Sequence, residues 1–268
     1  MNRERLYRAE GIVIRRSDFG EADRILTLFT RGQGKLRVLA KGIKKTKSRK
    51  SGHLELFIHA QLLIARGRSM DIVTQAEAIQ VFLPLRSDLR RTAYAYYVAE
   101  LIDKFTEEGT ESPGLFELLL DTLKQLAENP QLETIAHYFE LHLLDSLGYR
   151  PELYRCVNCG RPIEEGSFSA SGGGLVGPEC ASVLGEYRPG RRISAGALAA
   201  LRLLLASSYA ICASLNPTPE ERRDMETALS DTLAYLLEGE LKSLSLLTAL
   251  RRETLSASVE SPQSLRVK

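Results

Sequence analysis

The sequence lacks the marks of several large protein classes. It has no P-loop, no G-x-S-x-G elbow and no H-E-x-x-H pair, so the phosphate cradle, the exposed nucleophile turn and the metalloprotease helix built from them are missing. The triple glycine at 172–174 lacks the strand–glycine-loop–helix context of a dinucleotide site. His137 and His142 lie five residues apart and share a helix face poorly. No catalytic residue is assigned, and no nucleotide cofactor is expected. Cysteine is scarce: Cys156, Cys159 and Cys180 fall within 25 residues, and Cys212 is remote. That is a poor disulfide framework and a fair metal or cytosolic pattern. Apolar runs such as Leu203–Ala206 fall far short of the roughly 18 residues of a membrane span. The N-terminal MNRERLYRAEG contains no apolar signal core. The expectation is a cytoplasmic, nucleoid-associated protein with no membrane partner. There is no internal repeat and no long low-complexity tract.

What is present is divided by charge. The net charge of +2 over 268 residues conceals a basic lobe and an acidic one. Residues 1–80 hold 17 Lys+Arg against 8 Asp+Glu, a net of +9, and residues 81–268 hold 19 against 26, a net of −7. Two halves of opposite sign suggest different partners.

The hydrophobic pattern divides the chain at the same place. Residues 11–16, 25–30, 35–42, 54–66 and 71–79 read as five β-rich runs separated by turn residues. Five short strands in about 70 residues fit a small closed barrel of the oligonucleotide/oligosaccharide-binding (OB) type. From Pro84 the period becomes helical: 86–105, with Ser87 or Asp88 as N-cap, then 112–130, 132–149, 193–211 and 219–252. Residues 150–190 interrupt the helices with Gly, Pro and Cys, and SASGGGLVGPEC reads as free of helix. The predicted class is α+β multidomain. It comprises an OB-fold nucleic-acid-binding domain over 1–80 and an all-helical domain over 81–252. The latter contains a zinc-finger-like Cys loop over 150–190, and a disordered tail follows over 253–268.

Two features carry chemistry. The run 31–50 contains Arg31, Lys35, Arg37, Lys41, Lys44, Lys45, Lys47, Arg49 and Lys50 and no acid. Cations along a barrel face and a loop release counterions from a polyanion, so these nine are the predicted nucleic-acid contacts. Strand alternation places Lys35, Arg37 and Lys41 towards solvent, and Lys44–Lys50 form a mobile basic arm. For base stacking, Phe29 and Phe57 sit in apolar runs and belong to the core, whereas Phe19 lies in a turn. The second feature is C-x2-C at Cys156 and Cys159, followed by Gly160 and later by Cys180. A tetrahedral zinc site wants four ligands, and Gly177 stands where the second pair needs its first cysteine. Two readings stay open: zinc completed by Cys212, Glu179 or water, or a degenerate finger that persists without metal. A lesser feature is the acidic turn of Asp18, Glu21 and Asp23, the only basis for a metal-dependent nuclease.

The chain resembles the bacterial recombination mediator RecO family over most of its length. The resemblance rests on Gly11-Ile12-Val13, Phe19-Gly20-Glu21, Asp23, Ile25, Thr27, Gly34-Lys35 and Lys41-Gly42. It rests also on the order of parts: basic barrel, helical domain, and a finger inserted before the last helices. It implies an OB barrel that binds single- and double-stranded DNA and anneals complementary strands in DNA repair. It also implies partnership with RecR and with the C-terminal tail of single-stranded DNA-binding protein, so that RecA can load. By the same resemblance, Cys156, Cys159 and Cys180 match three of the four finger cysteines. The alternative is an RNA-binding or transcription-associated OB-fold protein.

Overall fold

The computed structural model describes residues 5–184, 190–237, 241–247 and 249–250. The tail expected over 253–268 lies outside the described residues, as does the end of the helix expected to reach 252.

The first five strands are β1 (Leu6–Phe19), β2 (Asp23–Thr30), β3 (Gly34–Ala40), β4 (His59–Ala65) and β5 (Asp71–Gln80). They close into a barrel in the order β1-β2-β3-β5-β4. All neighbours are antiparallel except β3 and β5, which join in parallel at Val38–Asp71 and Leu39–Ile72. The five-stranded OB-type barrel expected from the sequence is therefore present. Its interior is filled by branched aliphatic side chains, among them Val13, Leu26, Leu28, Val38, Leu62 and Ile64. The run expected to be extended from Leu54 begins later. A 3-10 turn occupies Ser51–His53, and Phe57 adopts a positive φ of 66°. The chain re-enters the barrel only through the bonds Phe57 N–H to Val13 O and Val13 N–H to Ile58 O.

Helices follow within a few residues of β5. α1 (Pro84–Ser87) leads into α2 (Leu89–Phe105), then α3 (Pro113–Glu128) and α4 (Leu132–Ser146). Asp88 is the N-cap of α2: its carboxylate accepts from the N–H groups of Arg90 and Arg91. The Cys-containing stretch is not an irregular loop. β6 (Gly166–Ser169), β7 (Gly174–Val176) and β8 (Arg191–Ile193) form a small sheet in the order β7-β6-β8. α5 (Pro178–Leu184) starts on the proline of a segment read as free of helix. The helical domain with its Cys-containing insertion is therefore present as expected, and the insertion carries a small sheet that went unread because strands of three or four residues are too short to show alternation in a sequence. α6 (Ala195–Ala206), α7 (Ala210–Ser214) and α8 (Pro219–Leu237) follow. The helix expected over 193–211 breaks at Ser207-Ser208, and that expected over 219–252 is described as helix over Pro219–Leu237 and again over 242–247.

The helices do not hang free of the barrel. One apolar core runs from the barrel into α2, α3 and α4. Phe116 of α3 packs on Phe29 of β2 (ring centroids 6.4 Å apart) and edge-on to His59 of β4 (5.8 Å). Arg31 clamps the seam: it bonds Glu10 and Glu117, and its guanidinium lies 4.8 Å over the Phe116 ring. The α2–α3 loop runs beside the start of β3, where Gly109 N–H donates to Lys35 O at 3.0 Å. Gly34 is required there twice over. Its φ is +61°, and a Cβ would lie 1.9 Å from the carbonyl oxygen of Thr110.

Candidate nucleic-acid interface and thiol cluster

The nine cations of the basic run divide into two groups of different use. Lys35, expected in solvent, is buried at 9% exposure. Strand alternation does turn it outwards from the barrel, but α2 covers that face. Its ammonium sits 3.2 Å from the Asp103 carboxylate and also donates to the Asp103 carbonyl. Arg31 belongs to the seam already described. Hydrogen bonds to Glu10, set against a smaller desolvation effect, hold its pKa above the ordinary arginine value. Arg37 is exposed but stands 3.8 Å from Glu108. Lys44 pairs with Asp18 at 3.0 Å. Lys50 donates to Val73 O at 2.8 Å, and burial pushes its ammonium below the usual lysine range.

That leaves Lys41, Lys45, Lys47 and Arg49. All four are exposed and, among the described residues, none enters an ion pair. They lie within nine residues on the loop from β3 towards β4. This loop is not the mobile arm expected from its composition. Ile43 is buried beneath it. Gly42 N–H donates to the Asp23 carboxylate at 2.7 Å, and Lys44 N–H donates to Ala22 O at 3.0 Å. Two further turns are closed by Lys45 N–H to Gly42 O and Ser48 N–H to Lys45 O. The cations are thus presented on a pinned support.

The acidic turn is what pins it. Asp18 bonds Lys44 and Arg24, and those bonds hold its carboxyl below the usual aspartate range. Asp23 caps Gly42. Both acids are committed to loop structure and do not converge on an ion with Glu21. The same turn carries Phe19, which is 53% exposed, while Phe29 and Phe57 are buried. Because Phe19 pairs with Asp23 and Arg24 with Ala40, the aromatic ring and the basic loop lie at one end of the barrel. The chain therefore presents four unmatched cations beside an exposed ring, a combination suited to a phosphodiester backbone with stackable bases.

A groove of about 630 Å³ between barrel and helices was missed by sequence reasoning. Arg15, Arg16, Lys104 and Lys242 line it, over a floor that includes Ile14, Leu56 and Tyr96. The adjacent arginines at 15–16 were the available signal. Two of its cations are paired, Arg15 with Asp103 and Arg16 with Glu55, while Glu100 accepts from the backbone of Lys242 and Ser243, and among the described residues neither the Lys104 nor the Lys242 ammonium enters an ion pair.

Among the described residues, one group of three or more potential metal ligands comes together: Cys156, Cys159 and Cys180, with their sulfurs all within 4.8 Å of one another. The knuckle is closed by Gly160 at φ +74°, by Gly160 N–H to Cys156 O at 2.8 Å, and by Cys156 N–H to Arg161 O at 2.9 Å. Cys180 arrives on the first turn of α5. Gly177 N–H donates to the Cys156 sulfur at 3.4 Å. Burial alone would raise the Cys156 thiol, but bonds from the backbone of Gly177, Cys159 and Asn158 bring it down to about 6. Cys212 is not the fourth member: it is buried on α7, where desolvation pushes its thiol up to about 12. Glu179 is paired with Arg161 at 2.9 Å. Arg202 of α6, another residue the sequence did not flag, ties the finger to the helices. It donates to Leu153 O and Ile163 O, bonds Glu164, and stacks on Tyr154. The trio could hold a metal ion. His137 and His142 serve elsewhere, the first bonded to buried Glu140 and the second to Leu204 O.

Comparison with known proteins agrees with this architecture. Residues 1–82 match the family described as Recombination protein O N terminal, and residues 86–245 match Recombination protein O C terminal. A DNA repair protein RecO of Roseiflexus sp. (strain RS-1) is 42% identical over 252 residues, covering 93% of this chain and 88% of that protein. The DNA repair protein RecO of Dehalococcoides mccartyi (strain ATCC BAA-2266 / KCTC 15142 / 195) is 38% identical over 251 residues, covering 93% and 98%. That of Heliobacterium modesticaldum (strain ATCC 51547 / Ice1) is 37% identical over 254 residues, covering 92% and 91%. Among the described residues no helix is long and apolar enough to cross a membrane.

Proposed function

The chain belongs to the recombination protein O family, and from that premise we propose that it is a DNA-binding recombination mediator whose DNA contact is the loop end of the barrel. The observation that carries this reading is the group Lys41, Lys45, Lys47 and Arg49 beside exposed Phe19. Cations on a pinned loop neutralise phosphates with little ordering cost and release counterions from single or double strands. With the charge of two strands lowered, complementary bases meet and pair. The chemistry is physical: no bond is made or broken, and no nucleotide is consumed. Arg37 and Lys44 join the interface only by leaving an acid, and Arg31, Lys35 and Lys50 support it from within. The acidic helical lobe, 81–252, takes the protein partners: RecR, and the C-terminal tail of single-stranded DNA-binding protein, so that RecA loads on coated DNA in the cytoplasm. The thiol trio holds zinc as a structural ion that braces the finger over 150–190.

The test is annealing of complementary single strands coated with single-stranded DNA-binding protein, with no nucleotide added. The intact chain accelerates annealing, and a variant with Lys41, Lys45, Lys47 and Arg49 all changed to Ala does not. Equal annealing by the two proteins sinks the assignment of the interface. A structured RNA that displaces single-stranded DNA from the protein in competition moves the reading to an RNA-binding barrel.

A further inference from the structure

Gly177 leaves the thiol cluster with three corners. A Cβ built at Gly177 would lie 3.9 Å from the Cys156 Cβ and 3.2 Å from Cγ2 of Ile163. Position 177 therefore faces the cluster from the side where a fourth cysteine would stand, and its present residue has no donor atom. Among the described residues no other side chain replaces it: Cys212 is buried on α7, and Glu179 is turned to Arg161. The three thiols meanwhile remain grouped, because Arg202 and the backbone bonds around Cys156 hold the finger in shape. Cys159 is exposed and Cys180 half-exposed, so the cluster is reached from solution.

We infer that Cys156, Cys159 and Cys180 form an open site for a thiophilic divalent ion, whose fourth position is filled by a thiolate donor from outside the chain. Structural zinc sites are closed by four protein ligands, whereas three protein ligands leave a position for exchange. Three sulfurs already select a soft or borderline ion over magnesium or calcium. The inference rests on the reading that the trio binds zinc and departs from it in one respect: the corner at Gly177 makes the site exchangeable rather than closed.

Cobalt(II) reports what spectroscopically silent zinc does not. The full-length protein, kept reduced with a phosphine, is loaded with cobalt and titrated with 2-mercaptoethanol. One equivalent of cobalt is expected to bind. The sulfur-to-cobalt charge-transfer absorbance should then rise by about a third, the increment of one thiolate on three. Gly177→Cys should start at the four-thiolate level and not respond. Cys180→Ser should lose the response of the intact chain, which keeps the test decisive if Gly177→Cys fails to fold against Ile163. Less than about a tenth of an equivalent of cobalt and of zinc overturns both the zinc reading and the open corner. Cobalt bound with a spectrum indifferent to added thiol overturns the open corner alone, since an internal ligand then closes the site.

Discussion

Replacing Lys35 by Met removes an ammonium from the seam while keeping an unbranched side chain of similar length. The lost interactions are the 3.2 Å pair with the Asp103 carboxylate and the bond to the Asp103 carbonyl, made by a side chain only 11% exposed. Hydrogen bonds to charged groups contribute about 1.5–3 kcal/mol. Asp103 keeps Arg15 at 3.3 Å, so its carboxylate is not left alone. A cost of about 2 kcal/mol follows, well below the roughly 3–5 kcal/mol of stranding a buried charge. For a chain of this size that lowers Tm by about 4–8 °C. The same substitution should leave the salt dependence of DNA binding unchanged, because Lys35 touches no phosphate. The contrasting variant changes Lys41, Lys45, Lys47 and Arg49 to Ala. Its slope of log affinity against log salt should flatten by about 0.7 per contact on single strands, close to 3 in all. At about 0.1 M salt this is a loss on the order of a few hundredfold, with Tm within about 2 °C of the parent because surface substitutions cost little. Fluorescence anisotropy across a salt series and a thermal melt read both quantities on both proteins. A Lys35→Met protein with unaltered Tm and a slope flatter by about 0.7 would refute the division of the basic run into seam and interface.

Other expectations follow from single contacts. Phe19→Ala should weaken single-strand binding by about 1–3 kcal/mol without moving the salt slope, since stacking releases no counterions; an unchanged affinity in the anisotropy series removes the ring from the interface. Gly34→Ala meets both a left-handed backbone and the Thr110 carbonyl, and should lower stability by more than about 2 kcal/mol in a denaturant titration; a loss below about 0.5 kcal/mol would mean that the α2–α3 loop yields freely. Glu100 is opposed by desolvation, but bonds from Ser243 and from the backbone of Lys242 bring its pKa below the ordinary 4.5. A depressed folded pKa stabilises above the unfolded value and is lost as pH falls through the folded one. Hydrogen exchange over 242–247 should therefore quicken as pH drops below about 4.5 after correction for the intrinsic rate, and Glu100→Gln should show fast exchange above and below that pH alike.

The sequence was legible wherever a signal is periodic and long. Five strands with turn residues between them announced a barrel, and the strand bounds fell within about two residues of expectation except in β1, which starts five residues early, and at His59, where Phe57 turns left-handed; the register was not legible. The helices over 86–105, 112–130 and 132–149 read equally well, and of the two cap candidates Ser87 and Asp88 the structure uses Asp88. What did not read was anything set by contact between distant parts. Alternation correctly turned Lys35 away from the barrel interior, but it has no term for a helix lying over that face. The pairing of Lys44 with Asp18 and the anchoring of the loop by Asp23 depend on residues about 20 positions away. The small sheet around Cys156 has strands of three and four residues, below the length at which a period exists. At the thiol cluster the spacing of three cysteines was legible, and so was the gap at Gly177. The apolar helical surroundings of Cys212 already pointed to a buried structural cysteine rather than a ligand, and its burial on α7 agrees.

The covered face of the barrel also bears on the proposed position of nucleic acid. Small OB barrels commonly bind strands across the face of β2 and β3 and between flanking loops. Here Thr27 and Phe29 of that face are buried, and Phe116, Asp103 and the α2–α3 loop occupy the space beside them. A strand lying along that path would have to displace an apolar seam and two ionic clamps. The open surface begins where the seam ends, at the β1–β2 turn and the loop after Ala40, and there the unmatched cations and Phe19 stand. The residues Gly34-Lys35, which mark the sequence as a relative of its family, belong to the covered side: one admits the Thr110 carbonyl and the other binds Asp103. Their work is to dock an acidic lobe firmly against a basic barrel. That docking uses up the positive charge of one face and leaves the charge at the other end free for phosphates.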